Sequence, residues 1–339
     1  MNVHKGIIGA GNWILDITKT IDIYPEQDTL SNILSQSSNN GGAAYNVLKD
    51  LARLEAPFPL YGIGLIGDDE AGQYILNDCR QLKIETTGIR ILNNVSTSYT
   101  DVMLVKNTGR RTFFHHRGAN AYLDSIHFNF KSYNARIFHL GYLLLLDQLD
   151  TFVNNHKTQA SFVLKGAKEK GFITSVDLVS ESSDRFKKII KPSLPYVDYL
   201  FLNEYEAGKL TGIDVSDYRS NRLKIEKVIQ RILSKGVQQM VILHFPEGVV
   251  AGDVEGNFLY HGSVKIPDER IVGTTGAGDA FAAGVLFGIH EKWNMNRCLE
   301  MGVCCAAASL TSTSCSDGIL PYNECLKLKE KYQFRQLYS

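Results

Sequence analysis

The 339-residue chain has no long apolar run, no excess of charge of either sign and no paired cysteine spacing. No stretch approaches the roughly 18 to 20 consecutive apolar residues of a membrane-spanning helix, so a membrane partner is not expected. Lys plus Arg and Asp plus Glu number 36 each, which gives a formal net charge of +0. This balance argues against a nucleic acid or an anionic membrane as partner. Internal repeats and low-complexity linkers are also missing.

The cysteines and histidines argue against a disulfide framework and against a zinc site. The six cysteines are Cys79, Cys298, Cys304, Cys305, Cys315 and Cys325. None forms a C-x-x-C pair, and the nine histidines are scattered. The amino-terminal segment lacks the apolar core of a signal peptide. We therefore expect reduced thiols and a cytoplasmic location.

The composition of the chain and its alternation of strand and helix patterns are those of a globular α/β protein. Hydrophobic residues make up 44% and charged residues 21% of a chain long enough for a substantial core. Strand patterns after Tyr122 alternate with helical ones; the strand patterns cover residues 136–142, 172–177 and 196–202. This order predicts a doubly wound, mostly parallel sheet flanked by helices, with ligands at the carboxyl ends of the strands.

A glycine-rich turn late in the chain, at residues 273–278, opens an apolar helical pattern. Small residues from Thr274 to Gly278 leave the backbone N–H groups of the helix start open to an anion. Asp279 follows in the first helical turn, where its carboxylate can take a proton from a hydroxyl group. The alternative is a glycine-rich cap whose Asp only complements the helix dipole.

Two other glycine clusters resemble dinucleotide-binding turns. Residues 6–11 are predicted to be a strand that enters a glycine turn, but the third glycine of a dinucleotide-binding G-x-G-x-x-G is missing. Asp16, beyond this turn, is best interpreted as a solvated carboxylate at the end of a strand. Residues 62–67 form a literal G-x-G-x-x-G. Pro57 and Pro59 leave room for only a very short strand before it, which disfavours a dinucleotide site, and a helix is predicted at residues 70–82.

Residues 96–120 read as a β-hairpin whose turn lies at residues 107–109. With residues 12–37 it would form a small antiparallel sheet beside the main core. Arg110 and Arg111 on the returning arm are either contacts for phosphate or substrate or, as we favour, solvated charges that protect a sheet edge.

Taken together, these motifs resemble the ribokinase-like sugar kinases, the PfkB family. Residues 273–279 are similar to that family's D-T-x-G-A-G-D, residues 41–46 to its G-G-x-x-x-N, and residues 203–206 to its N-x-x-E. The resemblance covers nearly the whole chain in the family's order. It implies one ribokinase-like domain over residues 1–339, with a β lid formed by about residues 12–37 and 96–120.

The resemblance also implies an activity and the residues for it. The expected reaction is ATP- and magnesium-dependent transfer of the γ-phosphoryl group to a primary hydroxyl of a small carbohydrate. Asp279 would be the base and Gly276, Ala277 and Gly278 the anion hole. The substrate would be held by Asn12, Asp16, Gly41, Gly42 and Asn46. ATP would contact Asn203, Gly248 and Thr275, and Glu206 would organise Mg²⁺ through water.

Four departures from the family pattern affect specificity. Gly273 replaces an Asp that helps to build the family's monovalent-cation site, so the resemblance does not imply potassium dependence. Phe245 replaces a glycine of the nucleotide loop, which leaves the donor undefined beyond a purine nucleotide. Ala43 stands where ribokinases carry Lys, and Tyr142 replaces a substrate-contacting acid. Both changes point away from ribose.

Two alternatives remain from the sequence. A nucleoside kinase has the same motifs, and Tyr99, Phe114 and Tyr142 are its candidates for stacking on a base. A non-catalytic sugar-binding regulator on the same fold would fit the altered Gly273 and Phe245. By resemblance alone, a homodimer through the lid sheets is expected.

Overall fold

The computed structural model describes residues 5–154 and 156–338, so both ends of the predicted domain, 1–4 and 339, lie outside the described residues. The strands are β1 (Gly6–Gly11), β2 (Ile14–Ile21), β3 (Ile33–Gly41), β4 (Leu60–Gly67), β5 (Glu85–Leu92), β6 (Ser98–Val105), β7 (Arg111–His116), β8 (Ala135–Leu143), β9 (Phe152–Asn154), β10 (Lys157–Thr158), β11 (Ile173–Leu178), β12 (Tyr199–Asn203), β13 (Met240–Phe245), β14 (Gly248–Asp253) and β15 (Phe258–Gly262). The α-helices are α1 (Ala43–Arg53), α2 (Glu70–Gln81), α3 (Gln159–Glu169), α4 (Phe186–Ile190), α5 (Glu204–Thr211), α6 (Arg222–Leu233), α7 (Ala277–His290), α8 (Met295–Ser309) and α9 (Tyr322–Tyr332). None of these described helices is long and apolar enough to cross a bilayer.

The large sheet has nine strands in the order β15-β14-β13-β12-β11-β8-β1-β4-β5. Every neighbouring pair from β13 to β5 is parallel, and β14 and β15 continue the sheet antiparallel. Parallel strands covered on both faces are expected to be continuously apolar. Leu200–Leu202 in β12 and Val241–Leu243 in β13 are accordingly buried. The predicted α/β fold class is confirmed.

Helices cover both faces of this sheet and create two cores. Buried residues of α1, α2, α7, α8 and α9 form the core on one face, and those of α3 to α6 form the other. Helices α7 and α8 approach each other closely because glycines of α7 face α8. A Cβ atom on Gly284 would lie 2.8 Å from the Met301 carbonyl oxygen. This packing fixes α7 with its amino terminus at the carboxyl ends of the parallel strands.

The small sheet lies over those carboxyl ends, with strands in the order β3-β2-β6-β7. Its outer pairs are antiparallel as predicted, whereas the central strands β2 and β6 run parallel. The parallel pair arises because both strands leave the large sheet in the same direction, from β1 and β5. Side chains alternate between faces, so cross-strand neighbours Asp16, Thr100 and His115 share one face.

Strand β4 corrects the interpretation of the G-x-G-x-x-G segment. It is eight residues long, not the very short strand predicted, and it includes Gly62, Gly64 and Gly67. These glycines make room for Trp13, since a Cβ atom on Gly64 would lie 2.1 Å from the indole Cδ1. The turn that follows leads into α2, where Asp69 accepts a hydrogen bond from the Gly72 N–H at 2.8 Å.

Candidate active site

The amino terminus of α7 lies where two cavities meet. Gly276 is the N-cap residue, with φ of 80°, and a Cβ atom there would lie 2.6 Å from the Cys315 Cβ. Glycine is therefore required both by conformation and by space. Within the described residues no side chain caps this helix. Its first amides are left for an anion, on the positive end of the helix dipole.

Asp279 is buried in the first turn of α7 and is held by two side chains. The Tyr142 hydroxyl donates to its Oδ1 at 2.8 Å and its Oδ2 at 2.6 Å, and Asn46 Nδ2 donates to Oδ2 at 2.7 Å. Asn46 is itself fixed by Asn40, whose Nδ2 donates to Asn46 Oδ1 at 2.7 Å. Burial raises the pKa of the Asp279 carboxyl, and the bonds from Tyr142 and Asn46 oppose that rise.

A second carboxyl group, Asp177, lies at the end of β11 and faces the same cavity. Burial, followed by the charges of Asp279 and Glu206, raises its pKa well above the ordinary value. Its recorded hydrogen-bond donor is the Leu178 N–H at 2.8 Å. Two side-chain donors thus favour the ionised form of Asp279, so a proton is expected on Asp177 in preference to Asp279.

The first cavity, of about 400 Å³, lies between the small sheet and the carboxyl ends of the parallel strands. Asp16 lines it from β2, not from the end of a core strand as the sequence suggested. Burial raises the pKa of Asp16 to about 7, against the Thr100 hydrogen bond and with the help of the Asp279 charge. Gly41 makes room for this carboxyl, because a Cβ atom there would lie 2.4 Å from Asp16 Oδ1. Asp16 is therefore not the freely solvated carboxylate that we favoured from the residues alone.

The electrostatic character of this cavity is acidic. Its described lining includes four carboxyl groups, those of Asp16, Asp177, Glu206 and Asp279, and no lysine or arginine. His115 lines it from the small sheet, but burial and the charge of Arg117 lower its pKa to about 4. The imidazole is therefore neutral near pH 7 and does not offset the carboxylates.

The second cavity, of about 360 Å³, lies between the β13–β14 turn and the helices α7 and α8. Much of its wall is apolar, and Phe245, Phe281 and Leu310 contribute to it. Asn203 and Gly278 line both cavities and so lie at their junction. A long ligand in the second cavity would therefore have one end beside the α7 amides.

The residues expected to bind the nucleotide separate between the two cavities. Gly248 and Ala277 line the second cavity with Asn203. Thr275 lines the first cavity, and its neighbour Thr274 lines the second. We named Thr275, not Thr274, as an ATP contact from the family resemblance. The direction in which the loop turns decides which threonine faces each cavity, and the sequence does not show it.

The residues expected to bind the substrate are also divided. Gly42 and Asn46 line the first cavity, whereas Asn12 and Gly41 are absent from its described lining. Asn12 instead braces the segment behind it: its Oδ1 accepts from the Tyr142 N–H, and its Nδ2 donates to the Leu145 carbonyl at 3.3 Å.

Glu206 combines a structural role with a position on the first cavity. It closes a capping box on α5, accepting from the Asn203 N–H at 3.0 Å while Asn203 Oδ1 accepts from the Glu206 N–H at 2.9 Å. Ser180 Oγ donates to its Oε1 at 2.8 Å. Burial raises the pKa of Glu206 to about 7.

Arg111 was favoured as a solvated edge charge, and the structure corrects this interpretation. It is half-buried, and its Nη1 donates to the Thr275 hydroxyl, which links β7 to the glycine loop. A Cβ atom on Gly273 would lie 3.1 Å from Arg111 Nη2. The guanidinium thus lies beside the position where the family pattern has an acidic side chain. Arg110 is exposed, as expected.

The aromatic side chain facing the first cavity from the lid is Phe113. Tyr99 and Phe114, which we named from the sequence, belong to the opposite face of the small sheet. The register of the β6–β7 hairpin decides between Phe113 and Phe114, and sequence alone did not specify it.

Comparison with known proteins assigns the family. The model of the pfkB family carbohydrate kinases matches residues 12–322. The chain belongs to the pfkB carbohydrate kinase family. An ATP-dependent ribose-1-phosphate kinase of Halopiger xanaduensis is 27% identical over 301 residues, which is 89% of this chain and 90% of that protein. Adenosine kinase of Saccharomyces cerevisiae is 26% identical, over 80% of this chain and 77% of its own.

Solved structures agree on the fold of this pfkB family member. Arabidopsis thaliana ribokinase, complexed with ribose and ATP, superposes with a TM-score of 0.79 at 21% identity, covering 96% of this chain and 98% of that one. Giardia lamblia ribokinase gives a TM-score of 0.80 at 18% identity, with coverage of 97% and 99%. From the family model and the curated relatives, the chain is a sugar or nucleoside kinase that uses ATP, a phosphotransferase with an alcohol group as acceptor.

Proposed function

We propose that this kinase transfers the γ-phosphoryl group of ATP to a primary hydroxyl of a small, uncharged sugar. The observation that carries the proposal is Asp279, held by Tyr142 and Asn46 beside the uncapped α7 amides at the junction of the two cavities. A proton acceptor and an anion hole within one helical turn suit the attack of a hydroxyl on a phosphoryl group.

The acceptor binds in the cavity under the small sheet, where the Asp16 carboxylate accepts hydrogen bonds from adjacent hydroxyl groups. ATP binds in the second cavity with its phosphates toward Gly278 and Asn203. Asp279 takes the proton of the primary hydroxyl group while the oxygen of that hydroxyl group forms a bond to the γ-phosphorus. The bond from that phosphorus to the bridging oxygen breaks, ADP leaves, and the α7 amides bind the charge on the transferring group.

Magnesium is compatible with the residues around Glu206. The described residues hold no group of three or more His, Cys, Asp or Glu side chains placed to bind a metal by themselves. Mg²⁺ at phosphates needs only one or two carboxylates and keeps several waters, so the Glu206 carboxylate suits it. When bound, the ion would neutralise charge on the phosphates of ATP.

The acidic first cavity is our reason for proposing an uncharged acceptor. A phosphate or carboxylate on the acceptor would lie among Asp16, Asp177, Glu206 and Asp279 with no lysine or arginine in the described lining. The ionised Asp279 and the partly ionised Asp16 and Glu206 would repel such a ligand, and no cation of the described lining would offset the charge that it buries. We therefore expect this chain to differ in its acceptor from the ribose-1-phosphate kinase that it resembles.

A nucleoside is the second candidate acceptor, and Phe113 favours it. This aromatic ring faces the cavity from β7, with Leu145 and Val179 also in the lining. An apolar wall with one aromatic ring can bind a base as well as the apolar face of a sugar ring.

The test is ADP release from ATP-Mg²⁺ with neutral pentoses, neutral hexoses, nucleosides, a sugar acid and ribose 1-phosphate. We expect turnover with a neutral sugar, or with a nucleoside if Phe113 stacks a base. For the anionic acceptors we expect kcat/KM to be lower than for the neutral acceptor by at least about a hundredfold, which corresponds to about 2.7 kcal/mol. Asp16→Asn should reduce the discrimination against anions. Preference for ribose 1-phosphate would contradict the proposed acceptor class, and the lack of any turnover would contradict the proposed function.

A further inference from the structure

A third cavity, of about 430 Å³, lies among the helices on the face of the sheet covered by α3 to α6. Four lysines line it: Lys157 from β10, Lys188 from α4, Lys191 just after α4 and Lys235 just after α6. None of its lining residues lines either of the two cavities of the active site. The kinase reaction therefore does not account for it.

The positive charge of this lysine cavity is not balanced locally. Its described lining contains no Asp or Glu, and none of its four lysines forms an ion pair with the described residues. Burial, with the charges of Lys187, Arg231 and Lys191, lowers the pKa of Lys235. In a chain with a formal net charge of +0, this is a local concentration of like charges whose mutual repulsion an anion would relieve.

Ordinary structural roles explain part of this arrangement. A lysine near the carboxyl end of a helix complements the helix dipole, which suits Lys191 after α4 and Lys235 after α6. Lys188 Nζ also lies over the Phe152 ring, 5.3 Å from its centroid. Lys157 Nζ likewise lies over the Phe162 ring, 5.5 Å from its centroid. These roles account for each lysine singly but not for the convergence of all four on one cavity.

We propose that the lysine cavity is a binding site for a small polyphosphate anion, either free pyrophosphate or the diphosphate group of a nucleotide. Several ammonium groups around one concave site match a ligand that presents several phosphate oxygens, since lysine binds phosphate as a point charge. The volume is within the range of small-molecule sites. The half-buried Tyr196 ring borders the cavity and would lie beside a nucleoside if one is attached.

Lysine footprinting tests this proposal at the site itself. The full chain is acetylated in the presence of pyrophosphate, ADP or orthophosphate, and the rate at each lysine is measured by mass spectrometry. At ten times the dissociation constant of pyrophosphate, about nine-tenths of the sites are filled, so the rates at Lys157, Lys188, Lys191 and Lys235 should fall by about tenfold. Protection by ADP beyond that by pyrophosphate identifies a nucleotide, and equal protection identifies the diphosphate alone.

Two triple variants provide the control. Lys188→Gln/Lys191→Gln/Lys235→Gln should abolish the protection of Lys157. Lys106→Gln/Lys131→Gln/Lys227→Gln removes the same charge from exposed positions outside the cavity and should leave that protection intact. These substitutions affect no residue of the active site, so the result is independent of whether the proposed acceptor is correct.

Three outcomes would overturn the proposal. The first is equal slowing at Lys131 and at the cavity lysines, which is a general ionic effect. The second is protection of Lys157 that survives the Lys188, Lys191 and Lys235 substitutions. The third is protection by a short single-stranded oligonucleotide but not by pyrophosphate or ADP, which would assign the patch to nucleic acid.

Discussion

The Tyr142 hydroxyl is the group that most directly adjusts Asp279. It contacts both carboxylate oxygens, and its hydrogen bond lowers the pKa of a carboxyl that burial raises. Besides burial, the charge of Asp279 raises the pKa values of Asp16, Asp50 and Asp177. The same repulsion disfavours the ionised form of Asp279. If Asp279 is the base, as we propose, then at the residue scale its ionisation near neutral pH depends on this hydrogen bond together with that from Asn46.

We predict that Tyr142→Phe moves the acid limb of the pH profile of kcat/KM to higher pH. Loss of the donor raises the pKa of Asp279, so a higher pH is needed to ionise the base. A hydrogen bond to a charged group corresponds to about one to two pH units. Activity well above the new limb should be close to that of the wild type. Tyr99→Phe, on the other face of the lid, is the control and should leave the profile unchanged. Loss of kcat with an unmoved acid limb would show that Tyr142 acts in another way.

At the scale of elements, the lid and the glycine loop are joined by Arg111. Its guanidinium extends from β7 to Thr275, next to the residues that open α7. The small sheet and the loop that opens α7 are thus joined by one side chain, so we expect any movement of the sheet over an acceptor to shift this loop.

We predict that Arg111→Ala lowers kcat/KM for the acceptor by about tenfold or more, the equivalent of one charged hydrogen bond. Arg111→Lys should give an intermediate loss, because a lysine keeps the charge but not the planar fork of N–H groups. The measurement is steady-state kinetics together with hydrogen exchange in β6 and β7. Arg110→Ala is the matched control, since Arg110 is exposed on the same hairpin. Equal losses in both alanine variants would point to general charge and not to this link.

At the scale of the whole molecule, buried carboxyl groups make stability depend on pH. Asp150 is a case outside the two active-site cavities: it is 3% exposed, and its Oδ2 has no partner among the described residues. Burial raises its pKa from 3.8 to about 7. The folded protein therefore binds this proton more tightly than the unfolded chain does. The resulting stability is complete below about pH 4 and is lost as the pH rises toward 7.

We predict that Asp150→Asn removes this component and that the variant gains stability relative to the wild type as the pH rises from 4 to 8. The expected change in the difference between the two Tm values is about 3 to 6 °C. The measurement is thermal unfolding of both proteins at constant ionic strength. Asp184→Asn, at an exposed position, should follow the wild type at every pH. A constant difference between Asp150→Asn and the wild type would contradict the assignment.

The sequence predicted the architecture better than the orientation of side chains. Alternating strand and helix patterns and the order of the motifs were enough for the α/β sheet and for the family. Four of the candidates named from the sequence, Asp16, Asn46, Glu206 and Asp279, line the first cavity. The small sheet was also predicted, apart from the parallel β2–β6 pair. These features depend on local pattern and chain order, which a sequence carries directly.

What the sequence did not predict depends on register and on contacts distant along the chain. A one-residue shift in the β6–β7 hairpin exchanges Phe113 for Phe114, and the turn of the glycine loop exchanges Thr274 for Thr275. The bond from Tyr142 to Asp279 joins residues 137 positions apart. Asp177 could have been noticed because it ends an apolar strand, but nothing local distinguishes it from a solvated strand-end carboxylate.

The central claim is that Asp279 is the base of a phosphoryl transfer. It is tested most directly by Asp279→Asn, with turnover and binding measured on the same preparation. The account predicts that kcat falls by about 10²- to 10⁴-fold, while calorimetric dissociation constants for the acceptor and for ADP-Mg²⁺ stay within about threefold, a change below 1 kcal/mol. Turnover within tenfold of the wild type, at unchanged affinity for both ligands, would show that another group takes the proton and would contradict the account.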